Sequence, residues 1–348
     1  MHEKLAEILK NVERLDGERK RVAESLRAEK FETNEAYERN LVMPLTQREV
    51  NAKVVAVDGG LLAQEFHGFD LVVARAVGVL FEYEKGKLGK HAYHPCAFPE
   101  VEMDVLNALD THEVNWHKSL FRLKKELEIA TESVEKFEPD YLMLDGSVAP
   151  LVSDRPDDTS EVRGLYDQVI GRYKKLYETC EKKKCSLVGV IKDSRGKRFI
   201  EIIGKKFGQG EEGLAKSTDT TFLQFFLREG ERTFAFPYGS DAKRHQVLKD
   251  LGEWGAKVGA FYLRPVEGDR PIRVEFVPNG RSYTEIADLV YSLSTINRTY
   301  AYPAVLIEAD LRAALERIEL ERTVRDMFMR VGRTGSAMKL RRDSRPFR

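Results

Sequence analysis

Cysteine is scarce in this chain, and long apolar runs are absent. Cys96, Cys180 and Cys185 are too few, and odd in number, for a disulfide framework, so we expect a reducing intracellular compartment. No apolar run is long enough to cross a bilayer. The N-terminal segment MHEKLAEILKNVERLDGERKR is a charged helical pattern without the apolar core of a signal peptide. These absences predict a cytoplasmic protein without membrane contact.

Net charge and nucleotide-binding motifs are missing as well. Lysine plus arginine (57) balances aspartate plus glutamate (57), so no overall basic charge indicates nucleic-acid binding. No G-x-x-x-x-G-K-[ST] motif occurs, which excludes a P-loop motor. GQGEEG at 208–213 fits G-x-G-x-x-G, but Glu211 and Glu212 would repel a pyrophosphate. HAYHPC at 91–96 matches no standard zinc spacing.

Hydrophobic periodicity predicts alternating helices and strands, hence an α/β fold. The pattern in 200–245 is ambiguous, and no internal repeat or long linker is present. The working model is one α/β domain, a mixed sheet with flanking helices and a helical or small β insertion. The expected helices are one or two within 1–40, then 114–138, 161–184, 282–294 and 301–330; the expected strands are 53–60, 69–87, 88–97, 140–145, 185–192, 257–264 and 272–278.

Two apolar strands end in an aspartate followed by glycine. VVAVDGG at 54–60 places Asp58 there, and YLMLDGS at 141–147 places Asp145 there. Ligands of open α/β sheets bind beyond the carboxyl ends of strands, and two close carboxylates repel unless a cation lies between them. We therefore expect a hard-metal site, with the glycines leaving room for a phosphate. The alternative is that both Asp-Gly pairs only form tight turns.

A third carboxylate is expected on the helix before Asp145. Counting back along the strand and then up an antiparallel helix puts residue 126 level with Asp145. Glu126 borders the apolar stripe of this helix, so it is the favoured ligand, and Glu128 is the alternative. Glu126 could instead be a surface residue paired with Arg122.

Several segments in this order resemble the NurA nuclease family. They are VAVDGG, the ELEIA helix, LMLDGS, LVGVIKDSR, the AFYLRP and IRVEF pair, and the late YPAVLIEAD helix, spread over about 53–315. The resemblance implies a ribonuclease H-like core and a manganese-dependent DNA nuclease, with magnesium as an alternative ion. It also implies a nucleoid-associated homodimer. Such a dimer works with the hexameric ATPase HerA in DNA-end resection, beside Mre11 and Rad50.

The resemblance also assigns roles to single residues. Asp58, Glu126 and Asp145 fall on the family carboxylates, and Lys192 falls on the lysine of the GVIKDSR strand. Tyr302 matches the family tyrosine. The metal ligands would hold two cations that activate a water and stabilise the leaving oxygen, while Lys192 offsets phosphate charge.

Asp310 is a departure from the family pattern. It stands where the family usually has a histidine, and it would complete a four-carboxylate set with Asp58, Glu126 and Asp145. This puts in doubt any mechanism that needs a histidine proton donor. The other possible partners of Asp310 are Arg312 and Arg317.

The resemblance divides the chain into three parts. These are an N-terminal helical segment (1–45), a nuclease domain (46–330) and a basic tail (331–348). The expected activities are 5′–3′ exonuclease on single- and double-stranded DNA and endonuclease on single strands. An actin-like ATPase or sugar kinase is an alternative, although DGGLLAQ lacks the hydroxyl residue of those enzymes. A non-catalytic DNA-binding subunit is another.

Overall fold

One mixed β-sheet forms the centre of the molecule. The computed structural model describes residues 2–27, 29, 31–107, 110–207, 212–331 and 340, and eleven strands lie within them. The strands are β1 (Val42–Pro44), β2 (Ala52–Phe66), β3 (Phe69–Glu84), β4 (Lys87–His94), β5 (Glu102–Asn107), β6 (Tyr141–Asp145), β7 (Ser186–Ile191), β8 (Glu231–Thr233), β9 (Phe236–Pro237), β10 (Gly259–Arg264) and β11 (Ile272–Val277).

The order of strands across the sheet is β1-β8-β10-β11-β7-β6-β2-β3-β4, with β5 on β3 and β9 on β10. β2, β3 and β4 are antiparallel neighbours, whereas β2, β6 and β7 run parallel. The long β2–β3 hairpin turns at His67 and Gly68, where Gly68 takes a φ of +97°. Because Val54–Val57 of β2 pair with Tyr141–Leu144 of β6, the carboxyl end of β6 lies beside the middle of the longer β2.

Helices cover both faces of the sheet. On one face α2 and α3 pack against Val55, Val57 and Leu142; on the other α7 and α8 pack against Val54 and Ala56. Within the described residues, no helix has the length and apolar character needed to span a membrane. The helices are α1 (His2–Leu26), α2 (Thr111–Phe137), α3 (Arg163–Lys183), α4 (Arg198–Phe207), α5 (Glu212–Ala215), α6 (Asp219–Phe226), α7 (Tyr283–Ser294), α8 (Ala304–Ala313) and α9 (Arg317–Val331).

The expected elements are present in the expected order, but the terminal helix is not continuous. Where a single helix was predicted over 301–330, α8 ends at Ala313 and Ala314 is extended, with φ −52° and ψ 131°. Arg75 of β3 donates hydrogen bonds to the carbonyl oxygens of Ala313 and Ala314 and pairs with Glu319. This buried guanidinium satisfies carbonyls that the end of a helix leaves free.

The structure also resolves two points that the sequence left open, the number of helices within 1–40 and the elements within 200–245. Within the described part of 1–40 the only helix is α1, which ends at Leu26. The ambiguous stretch 200–245 contains most of α4, all of α5 and α6, and two short strands, β8 and β9. Apart from residues 331 and 340, the basic tail lies outside the described residues.

Candidate metal centre

Three carboxylates converge where the carboxyl end of β6 lies beside the middle of β2. One oxygen from each of Asp58, Asp145 and Asp310 lies within 4.8 Å of the other two. In the described part of the chain, no other set of three acidic, histidine or cysteine side chains meets this condition. The sequence predicted that Asp58 and Asp145 each end a strand. Asp145 does end β6, but β2 continues through Asp58 and Gly59 to Phe66, so Asp58 lies neither at a strand end nor in a turn. Helix α8 brings the third carboxylate to the site.

The alternation of β-strand side chains explains which face of the sheet the cluster occupies. Val54 and Ala56 face α7 and α8, so Asp58, two residues further along β2, points to the same face. Met143 faces the same helices, which places Asp145 there as well. Asp310 belongs to α8, which covers this face.

Asp58 is held in an environment that disfavours its charge. It is only 7% exposed, and one of its oxygens accepts the Gly59 N–H at 2.7 Å. Burial, followed by the charges of Asp145 and Glu126, raises the pKa of Asp58 to about 8, against the smaller opposing effect of that hydrogen bond. A divalent cation would reverse this balance, because it favours the ionised carboxylates.

Asp145 is anchored by a lysine and a tyrosine. The Lys192 ammonium lies 2.9 Å from Oδ2, and the Tyr302 hydroxyl donates to Oδ1 at 2.8 Å. The Tyr302 hydroxyl also lies 2.9 Å from the carbonyl oxygen of Val190. Burial lowers the pKa of Lys192, but the hydrogen bond and the charge of Asp145, together with Tyr300, outweigh it, and the pKa rises to about 12. Lys192 is therefore a permanent positive charge at the cluster, 4.4 Å from the centre of the Tyr302 ring.

Glu126 reaches the centre from the opposite face of the sheet, because it belongs to α2. Its Oε1 lies where a side chain on Gly59 would be, 2.5 Å from an ideal Cβ position. The sequence interpretation left this space to a phosphate, but the structure fills it with the Glu126 carboxylate. A Cβ on Gly60 would lie 2.1 Å from the Ala313 carbonyl oxygen. The space that a side chain on either glycine would fill is thus occupied by another part of the protein and not by substrate.

Burial dominates the electrostatics of Glu126. Its pKa is raised to about 7 by burial and, to a smaller extent, by Asp145, whereas Arg122 lowers it. Arg122 is 3.5 Å away in an ion pair, yet Oε1 makes no hydrogen bond with any described residue. Glu128, the alternative ligand, is engaged elsewhere, with Lys125 at 3.0 Å and Arg172 at 2.8 Å.

Asp310 is exposed and lacks the ion pairs that the sequence offered as alternatives. Arg312 pairs with Glu308 at 2.8 Å, and Arg317 approaches Glu321 at 3.5 Å. Among the described residues, no cation lies within ion-pair distance of Asp310. Carboxylate oxygens of Asp58 and Asp145 lie within 4.8 Å of it, an arrangement that a cation would stabilise.

These observations fit a divalent metal ion. The cluster supplies carboxylate oxygens alone, the donor type that Mg²⁺ and Mn²⁺ prefer. The buried Glu126 Oε1 has no hydrogen-bond donor, and Asp58 carries a raised pKa. Both features are costly without a cation and are relieved by one.

The structure also shows a buried ion pair that holds the turn after Asp145, which the sequence interpretation did not predict. Glu275 of β11 is buried, and its Oε2 accepts hydrogen bonds from the Ser147 hydroxyl at 2.5 Å and the Val148 N–H at 3.2 Å. Arg273 holds its other oxygen at 2.7 Å. This pair ties down the turn after Asp145, where Gly146 takes a φ of +138°. The alternation of charged and apolar residues in IRVEFV could have indicated that Arg273 and Glu275 share one face of this strand.

A family model and several solved structures match the chain. The model of the NurA domain spans residues 52–315, which includes every carboxylate of the cluster. The chain belongs to the NurA family. No curated protein matches it in sequence.

The solved structures of NurA proteins share the fold of this chain. The NurA nuclease from Sulfolobus solfataricus is 18% identical, with 95% of this chain and 96% of that one covered and a TM-score of 0.60. A NurA bound to dAMP and manganese is 10% identical, with 85% and 92% covered and a TM-score of 0.56. A NurA with manganese is 11% identical, with 82% and 91% covered and a TM-score of 0.51. The mixed α/β fold and the NurA resemblance expected from the sequence are both confirmed.

Proposed function

We propose that this NurA-family chain is a manganese-dependent deoxyribonuclease that hydrolyses phosphodiester bonds at the carboxylate cluster. The observation that carries this proposal is the convergence of Asp58, Asp145 and Asp310 within 4.8 Å inside a NurA domain. NurA structures that contain manganese support the choice of ion, and magnesium suits the same oxygen donors. The family match favours this function over an actin-like kinase, and the cluster favours it over a non-catalytic subunit.

The side chains of the centre divide into ligands and supporting groups. Asp58, Asp145, Asp310 and Glu126 would hold the metal, which lowers the pKa of bound water and polarises the phosphate when present. Lys192 neutralises charge on the phosphate and positions Asp145. Tyr302, whose pKa burial and Asp145 raise well above its usual range, stays protonated and keeps its hydroxyl on that carboxylate.

The finer properties follow from the family resemblance. We infer 5′–3′ exonuclease activity on single- and double-stranded DNA and endonuclease activity on single strands. The chain would act as a nucleoid-associated homodimer with a HerA-type hexameric ATPase, in end resection linked to Mre11 and Rad50. The nuclease unit would span 46–330, between the helical segment 1–45 and the basic tail 331–348.

End-labelled DNA tests the proposed activity directly. Wild-type protein should digest single- and double-stranded substrates in Mn²⁺ and lose activity in EDTA. Asp58→Asn and Asp145→Asn should each lower the rate by about a thousandfold, or roughly 4 kcal/mol of transition-state stabilisation, because each removes a charged ligand but keeps its volume. Their circular dichroism should match that of wild type.

Asp326→Asn, an exposed substitution on α9, is the matched control and should cleave normally. Full activity in either cluster variant would refute the proposed centre. The position and polarity of the products on a sequencing gel decide between exonuclease and endonuclease action, and stimulation by a purified HerA-type ATPase tests that partnership.

A further inference from the structure

Two connections at the metal centre lead into the same buried polar network. The turn after β6 follows Asp145 directly, and Ser147 in this turn donates its hydroxyl to Glu275. The loop after β7 begins with Lys192, whose ammonium contacts Asp145, and continues through Ser194. The two connections therefore carry the two sides of the contact between Lys192 and Asp145. Any group that fixes the connections relative to each other also fixes this contact.

Tyr262 of β10 lies at the centre of the network and is fully buried. Its hydroxyl donates to Asp219 Oδ2 at 2.9 Å and accepts from Arg273 Nη1 at 3.1 Å. The Ser194 hydroxyl lies 3.3 Å away. Because the single proton of the phenol goes to Asp219, Ser194 acts as the donor in this third contact. One hydroxyl thus joins α6, β11 and the loop after β7.

Arg273 continues the network from Tyr262 to the turn after β6. The two residues are direct partners in the pairing of β10 with β11. Arg273 Nε donates to Glu275 Oε1 at 2.7 Å, and Glu275 Oε2 accepts the Ser147 hydroxyl at 2.5 Å. An unbroken series of hydrogen bonds therefore runs from Tyr262 to a residue two positions after Asp145.

Asp219 is the fixed end of the network. It is fully buried at the start of α6, and its oxygens accept the N–H groups of Phe199 and Ile200, both at 3.0 Å, in the first turn of α4. Burial raises the pKa of Asp219 to about 6, whereas these two backbone hydrogen bonds lower it, so the carboxylate is largely ionised above pH 7. An ionised acceptor strengthens the hydrogen bond from Tyr262.

The start of α6 also holds the backbone of the loop after β7. The Asp219 N–H donates to the Gly196 carbonyl at 2.8 Å, and the Thr220 hydroxyl donates to the Ser194 carbonyl at 2.9 Å. Gly196 lies so close to the network that a Cβ there would be 3.0 Å from the Tyr262 hydroxyl. Because the packing is this close, the loop cannot shift without breaking these contacts.

We propose that Tyr262 is a positioning residue for the metal centre, whose hydroxyl holds the turn after Asp145 and the loop after Lys192 in place relative to each other. Among the described residues this hydroxyl forms hydrogen bonds with Asp219, Arg273 and Ser194 alone, so it acts on the centre through them. This inference rests on the proposed nuclease function and deepens it.

The decisive variant is Tyr262→Phe, which removes the hydroxyl and keeps the buried ring. We expect kcat for DNA cleavage to fall about tenfold with KM nearly unchanged, because the residue does not contact substrate. The dissociation constant for Mn²⁺, measured from the electron paramagnetic resonance signal of the free ion, should also rise about tenfold, since Asp145 loses its fixed position.

Tyr166→Phe is the matched control. It removes the hydrogen bond of an equally buried tyrosine to a carboxylate, that of Asp250 at 2.8 Å, on a part of α3 away from the cluster. This variant should lower Tm to a similar extent as Tyr262→Phe but should change neither kcat nor the affinity for Mn²⁺. A network with a purely structural role would make the two variants behave alike.

A double-mutant cycle tests whether Tyr262 acts through the turn after β6. Ser147→Ala removes the hydrogen bond at the other end of the network. If both hydroxyls act through Glu275, the loss of Mn²⁺ affinity in Tyr262→Phe/Ser147→Ala should be well below the product of the two single losses. Losses that multiply would refute the connection through Arg273.

The nuclease function and the positioning role fail in different ways. If wild type binds Mn²⁺ but cleaves no DNA, the proposed function is wrong, while the Mn²⁺ affinities of the variants still test the network. If wild type cleaves DNA and Tyr262→Phe differs from it only in Tm, the positioning role alone is refuted. A wild type that neither binds Mn²⁺ nor cleaves DNA would refute both.

Discussion

Asp58 and Glu126 are carboxyl groups whose pKa values the fold raises to near neutral pH. Burial, together with the neighbouring acids, raises the pKa of Asp58 to about 8 and that of Glu126 to about 7. Each retains its proton in the folded metal-free protein at pH values where it is ionised in the unfolded chain. The folded state then binds more protons than the unfolded state, so stability falls as pH rises through this window.

The first prediction concerns this pH dependence. Between pH 5 and pH 8, metal-free wild type should lose stability relative to Asp58→Asn, because asparagine cannot ionise. At pH 8 we expect the variant to melt about 2 °C or more above wild type, with a smaller difference at pH 5. Thermal unfolding in EDTA measures this, and adding Mn²⁺ should stabilise only wild type, more strongly at the higher pH. A difference in Tm that is constant with pH would contradict the raised pKa.

Asp310 provides the second prediction, because it stands where the family usually has a histidine. If Asp310 is a metal ligand, the Asp310→Ala variant should need a far higher Mn²⁺ concentration for cleavage and should cleave DNA about a hundredfold more slowly than wild type. Its binding of DNA should be unchanged. Asp310→His should recover part of the activity, since imidazole also binds Mn²⁺. If Asp310 is only a surface residue, the cleavage curves of both variants against manganese concentration will coincide with that of wild type, and stability will change by at most about 1 kcal/mol.

The break between α8 and α9 decides where Asp310 lies. Arg75, 7% exposed, holds the end of α8 through the Ala313 and Ala314 carbonyls, and Gly60 lets the Ala313 carbonyl approach β2. Asp310 is in the last turn of α8, where its own carbonyl accepts the Ala314 N–H at 2.9 Å. Arg75 is thus a positioning residue for the third carboxylate of the cluster.

The third prediction follows from this contact. Arg75→Met should lower stability by about 2–4 kcal/mol, since it leaves buried carbonyls and Glu319 without their partner. It should also raise the Mn²⁺ concentration needed for half-maximal cleavage, because Asp310 loses its fixed position. Glu319→Gln is the matched control: it removes the ion pair but leaves the backbone hydrogen bonds, so it should change stability and leave manganese dependence intact. Calorimetry and a metal titration separate the two effects.

At the scale of the whole molecule, α1 presents an uncovered apolar stripe. Leu5, Ile8, Leu9 and Val12 are 44–54% exposed and recur at helical spacing, whereas Leu15 and Ala23 are buried. Contiguous exposed apolar surface of this kind marks interaction sites. The homodimer expected from the family resemblance would cover it.

The fourth prediction is that the chain is a dimer at micromolar concentration and that Leu5→Glu/Leu9→Glu makes it monomeric. Charges placed in a buried apolar interface are costly, so the shift should be nearly complete. Lys10→Glu, on the same helix but outside the stripe, should remain dimeric. Light scattering measures the mass of each protein. A wild-type monomer would refute the dimer, and a dimeric double variant would move the interface away from α1.

The sequence by itself determined the central strands of the sheet and the two aspartates that they carry. The apolar runs VVAV and YLML are buried strands, as their composition predicts. Asp145 does end β6, but β2 continues past Asp58 to Phe66, so the strand end predicted at Asp58 is wrong. Helix and strand rise also placed Glu126 level with Asp145 along the sheet. The strand runs were predicted correctly because they depend on local spacing, whereas the roles of these residues as ligands stay predictions.

Only the tertiary structure decided how the remaining groups meet. Glu126 comes from the α2 face and the three aspartates lie on the α8 face, a division that depends on which helices cover each side. The approach of Asp310 depends on Arg75, which is 238 residues from Ala313 in sequence and ends a helix that periodicity alone would continue. Burial of Asp58 and the missing donor at Glu126 likewise arise only when distant segments exclude water from one place. Local spacing carries no information about such contacts.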